Sequence, residues 1–163
     1  MVKKLLFLFV VIAALSSCTA NNSKSAYTVN ELMDTISTQI DKEVRVYGTV
    51  THVCMHTGKK CFIENETGDF TIQVNAGGII DIFERDLVGS KIEAVGIVKE
   101  HRMEIEQIDE REKTALDQIH LEGAHEQCQA MLNNVAQMRA WMEKNKKDYY
   151  AIYYIDGIRY KEL

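Results

Sequence analysis

The 163-residue chain contains no proline. Its turns must therefore rest on glycine, asparagine and aspartate, and proline-rich spacers are excluded. A basic excess is missing too: 19 Lys and Arg stand against 24 Asp and Glu, a formal net charge of −5. That balance argues against a surface built to neutralise phosphates, so no nucleic-acid partner is expected. No nucleophile elbow, phosphate-binding loop or dinucleotide fingerprint occurs, and the chain is not expected to be an enzyme. The opening apolar run, residues 5–15, is too short for an ordinary membrane span. No internal repeat is visible.

What is present begins with that run. Lys3 and Lys4 precede it, and Leu15-Ser16-Ser17-Cys18 follows it. A basic stretch, an apolar stretch and this tetrapeptide resemble a bacterial lipoprotein signal with its lipobox. The resemblance implies cleavage of residues 1–17, lipid on Cys18, and attachment to the membrane through that anchor. Residues 18–26 then read as the lipidated cysteine and a polar tether. Thr19 is not acidic and no acidic run follows. An outer-membrane lipoprotein facing the periplasm is the expected location. Losing Lys3 and Lys4 would leave 17 basic against 24 acidic side chains, a net charge of −7.

The stretch His52-Val53-Cys54-Met55-His56-Thr57-Gly58-Lys59-Lys60-Cys61 holds the densest group of metal-ligand types. In a strand His52, Cys54 and His56 point to one side, and Gly58-Lys59 reads as a two-residue hairpin turn. That register sets His56 opposite Cys61 and puts all four donors on one hairpin face. Thiolate and imidazole together suit zinc or copper. Two other readings stay open. The side chains could continue the inward face of Val44, Val46 and Val50, since free cysteine is commonly buried. Alternatively the thiols could serve in redox chemistry or a disulfide. With Cys18 lipidated, Cys54, Cys61 and Cys128 remain, and an odd count in an oxidising compartment needs such an explanation.

Taken in order, residues 27–40 predict a short helix, with Thr28 and Glu31 spaced as a capping box. Residues 44–51 alternate as a first strand, and Gly48 marks a bulge or tight bend. Strands are expected at 61–64 and 70–74, a short helix over 79–89, and strands at 91–98 and 102–106. Three strands, a helix and two strands is the order of the OB-fold, a small Greek-key barrel. The segments Val44-Arg45-Val46-Tyr47-Gly48-Thr49-Val50 and Leu87-Val88-Gly89-Ser90-Lys91-Ile92-Glu93-Ala94-Val95-Gly96-Ile97-Val98 resemble parts of bacterial OB domains. The resemblance covers about residues 27–110. It implies a mainly β protein with some α, built on a five-stranded barrel that binds oligonucleotides or oligosaccharides.

The tail differs in character. Leu121, Ala124, Cys128, Met131, Val135, Met138 and Met142 recur at steps of three and four, which predicts an amphipathic helix over 111–148. It must pack on the barrel or on a second copy, and Gly123 weakens or divides it. His125 and Cys128, three apart, are helix neighbours and further metal-ligand candidates. In 149–163, Asp156-Gly157 between aromatic and branched runs predicts a tyrosine-rich β-hairpin. The expected function is a lipid-anchored OB-fold-like binding protein holding zinc or copper through His52, Cys54, His56 and Cys61. The alternative is a metal-free envelope protein whose helix and tyrosine-rich segment dock a ligand or an envelope protein.

Overall fold

The computed structural model describes residues 26–121 and 123–163. The leader, Cys18 and residues 19–25 lie outside the described residues. A short strand β1 (Ala26–Thr28) runs into helix α1 (Val29–Thr35). The capping box forms as the spacing requires: the Glu31 N–H donates to Thr28 Oγ1 at 3.2 Å, and the Thr28 N–H donates to Glu31 Oε2 at 2.8 Å. The cap fixes the point at which the chain leaves β1 and turns Val29, Leu32 and Ile36 into the core. Each such burial contributes about 1.5–3 kcal/mol.

The barrel consists of β2 (Glu43–Val53), β3 (Lys60–Glu64), β4 (Thr71–Asn75), β5 (Lys91–Glu104) and β6 (Tyr149–Glu162). β2–β3 and β3–β4 pair antiparallel, β4–β6 parallel, and β6–β5 and β5–β2 antiparallel, which closes the ring. This is an OB-fold-like five-stranded barrel, the expected fold class. Closure needs β2 to pass from one neighbour to the other. Thr49 faces both Lys91 of β5 and Glu64 of β3. Gly48 sits at that crossing, where a Cβ would meet the Glu64 carbonyl oxygen at 2.5 Å. The register shift itself falls between Val50 and His52. Val44, Val46 and Val50 point inward before it, and Val53 after it.

Four expectations are corrected. Residues 102–104 are the end of β5, because 99–101 contain no turn-forming residue. The fifth strand is β6, so the barrel is not contiguous over 27–110 but is completed by the C-terminal segment. Asp156-Gly157 is not a hairpin turn. It lies inside β6, opposite Ile97 and Gly96, where the ladder shifts register. Gly157 is there for close approach: a Cβ would meet the Asn75 carbonyl oxygen at 2.6 Å. Between β4 and β5 only Arg85–Leu87 form a turn of 3-10 helix, and Ile80, Phe83 and Leu87 plug the core from an otherwise irregular loop.

The expected single helix over 111–148 is a helical hairpin inserted between β5 and β6. α2 (Ile105–Gln118) and α3 (His125–Asn145) are joined through Gly123, which adopts a left-handed φ of 78°. Arg139 of α3 ties them by donating to Asp109 Oδ1 at 2.8 Å and to Glu112 Oε2 at 2.6 Å. The stripe packs on the molecule itself: Val135, Met138 and Met142 meet Met103, Ile108 and the half-buried Tyr150 and Ile152. This forms a second core apart from the barrel's. Among the described residues no helix is long and apolar enough to cross a membrane.

Candidate functional site

The loop between β2 and β3 is wider than a two-residue turn. Val53, not His56, stands opposite Cys61. The Cys54 N–H donates to the Lys60 carbonyl at 2.8 Å, and the Gly58 N–H donates to the Cys54 carbonyl at 2.9 Å. Gly58, at φ 63°, closes that turn. The two-residue hairpin fails because β2 ends at Val53 and β3 begins at Lys60, which leaves residues 54–59 to the loop.

The four donors are consequently not brought to one face. Cys61 is fully buried in the barrel, and burial pushes its thiol up to about 12. His52 is exposed on the outside, its ring 5.7 Å from that of Phe62. Cys54 and His56 remain beside each other on the loop. The Cys54 thiol is held below its ordinary range by the Thr57 hydroxyl, which donates to Sγ at 3.5 Å. The N–H groups of Thr57 and His56 and the charge of Lys60 act in the same direction. On α3, His125 is exposed at the first turn while Cys128 is buried. Among the described residues no three His, Cys, Asp or Glu side chains converge as a metal site would require. Cys54, Cys61 and Cys128 are all free thiols.

A different surface does gather chemistry. With Cys61, Ile63, Ile72 and Val74 inward, the alternation of β3 and β4 turns Lys60, Phe62, Gln73 and Asn75 outward. Lys60 faces Asn75 and Phe62 faces Gln73 across the ladder. The parallel neighbour β6 sets Tyr154 beside Gln73 and Asp156 beside Asn75. A chain of hydrogen bonds runs along β4 and across to β6. Gln73 Nε2 donates to Asn75 Oδ1 at 2.7 Å, and Asn75 Nδ2 donates to Asp156 Oδ1 at 3.2 Å. A depression of about 310 Å³ lies on this face, lined by Lys60, Gln73, Asn75, His101, Ile152 and Tyr154. Ile152 also packs against the helical hairpin, which thus stands beside the depression.

The amides are oriented before any ligand arrives, because each is locked by its strand and by its neighbour's hydrogen bond. Unused donor and acceptor capacity remains on Gln73 and Asn75, and Phe62 and Tyr154 add aromatic surface. Sequence reasoning missed this site. The alternation of 70–74 already marked Gln73 as outward, but nothing local announced that Tyr154 and His101 would join it. No protein-family model matches the chain, and no curated protein matches it.

Proposed function

We propose that this chain is a lipid-anchored, periplasm-facing binding module, in which the outer face of β3, β4 and β6 takes a glycan strand of the cell envelope. The observation that carries the reading is the continuous row Phe62, Gln73, Asn75 and Tyr154 beside a 310 Å³ depression. Sugars present hydroxyls that planar amides bridge and C–H faces that rest on aromatic rings. OB-folds take oligonucleotides or oligosaccharides, and the acidic balance of this chain disfavours the former. The anchor is Cys18. The soft-metal reading is less well supported, because Cys61 is withdrawn into the core and His52 is turned to the outer face.

The test is amide-shift mapping by NMR with soluble oligosaccharide fragments of peptidoglycan and of outer-membrane polysaccharide. Saturable shifts at Phe62, Gln73, Asn75 and Tyr154 are expected. Shifts confined to α2 and α3, or none with either glycan, would overturn the reading. The anchor is checked separately: Cys18→Ser should move the protein from the membrane fraction to the soluble fraction.

A further inference from the structure

Charge is placed unevenly on the outer face of β3, β4, β6 and β5. One row of the ladder runs Lys60, Asn75, Asp156, and the next runs Phe62, Gln73, Tyr154, Lys99. His101 enters from β5 one step further along, opposite Ile152. The depression of about 310 Å³ takes Lys60, Gln73, Asn75, His101 and Tyr154 from these rows, with Ile152 as an apolar wall. Among the described residues no Asp or Glu lines it. Asp156, next to Asn75, accepts from the Asn75 amide, and Asp41 holds Lys99 at 2.7 Å. Lys59 likewise has Asp81 at 3.0 Å, but Lys60 makes no ion pair among the described residues. Its charge acts on the Cys54 thiol, which lies outside the depression.

We infer that the depression selects glycans carrying an acidic group, a carboxylate or a phosphoester on the sugar, and that Lys60 reads that group. The inference rests on the glycan reading of this face and adds the chemistry of the ligand. Lys60 brings a full charge and three N–H donors. The Gln73 and Asn75 amides each keep one hydrogen beyond the bonds they already make. Tyr154 adds a hydroxyl, and His101, across β4 and β6 from Lys60, adds a ring N–H in either neutral tautomer. A donor-rich hollow without a carboxylate favours an anion, because hydrogen bonds to an ionised acceptor are the stronger ones. The lysine ammonium is a point charge, so it fixes the sign of the group and not its geometry. Carboxylate and phosphoester therefore fit alike. One unpaired cation matches one acid group, whereas a polyanion would meet the net charge of −5 around it.

Isothermal titration of the purified full chain tests this with two matched pairs of ligands. Oligogalacturonate is compared with its methyl ester, and a phosphorylated oligomannoside with its dephosphorylated form. The acidic member of at least one pair should bind about tenfold more tightly at low salt, and added salt should narrow the gap. The pair that shows the gap identifies the acid as carboxylate or phosphoester. Lys60→Gln should close the gap and leave the affinity for the neutral member unchanged, while Lys60→Arg should keep most of it. Lys60 is exposed at the start of β3, so both variants should fold, which circular dichroism checks. Equal binding within both pairs overturns the acid selectivity and leaves the glycan reading standing. A gap that survives Lys60→Gln overturns the assignment to Lys60. No binding by any of the four ligands overturns the selectivity and the glycan reading together.

Discussion

Asn75 Nδ2 donates to Asp156 Oδ1 at 3.2 Å, between residues 81 positions apart in the chain. The bond crosses the one parallel pairing within the barrel, β4 with β6. It links the closure of the fold to the candidate ligand face, since the same amide accepts from Gln73.

Replacing Tyr154 or Phe62 by Ala should weaken glycan binding without unfolding the barrel, because both side chains lie on the outside. An aromatic contact of this kind is worth about 1 kcal/mol beyond its buried area, so a loss of roughly five- to tenfold in affinity is expected. Isothermal titration of each variant measures it, with circular dichroism as the check on folding.

Gly48→Ala should destabilise the protein by about 1–3 kcal/mol, the usual cost of overpacking. The added methyl would press on the Glu64 carbonyl at 2.5 Å and on Val29 at 3.1 Å, where β2 passes from β5 to β3. A lowered midpoint in urea, with an unchanged slope, is the expected result.

Alkylation at neutral pH should mark Cys54 well before Cys61 or Cys128. The Cys54 thiol is shifted toward its ionised form, while Cys61 is pushed up to about 12 by burial. Thr57→Val removes the main hydrogen bond to Sγ and should slow the reaction of Cys54. Timed labelling with mass mapping reads both effects.

Stability should fall on the alkaline side. Burial raises Cys61 to about 12, and burial with the charge of Glu100 raises Tyr153 to about 12. Both stay protonated in the folded state while the unfolded chain releases its protons. The unfolded state then binds fewer protons, so folding weakens as pH rises from about 9 toward 12. Urea titrations across that range test it, and Cys61→Val should flatten the lower part of the decline.

The helical hairpin should open at lower free energy than the barrel. Its core of Met103, Ile108, Val135, Met138 and Met142 is small and separate from the barrel's. Native-state hydrogen exchange should show α2 and α3 losing protection ahead of β2 and β5.

Local chemistry was legible along the chain. The Thr28–Glu31 cap, the strands at 44–51, 61–64, 70–74 and 91–98, and the division of the tail helix at Gly123 all rest on neighbours a few residues apart. The donor set His52, Cys54, His56 and Cys61 was misread because the register shift between Val50 and His52 turns His52 outward, β2 ends before Cys54 and His56, and Cys61 lies on the inward face of β3. Asp156-Gly157 carries a turn signal, yet the residues serve a strand.

The sequence by itself determined which residues alternate, where α1 begins and that a β-barrel of this class would form, because periodicity and capping are short-range effects. Only the tertiary structure decided which strand closes the barrel. That choice depends on parallel pairing of β4 with a segment beyond an inserted helical hairpin, and no local pattern encodes it. The same pairing, through the close approach that Gly157 permits, brings Tyr154 and Asp156 beside Gln73 and Asn75.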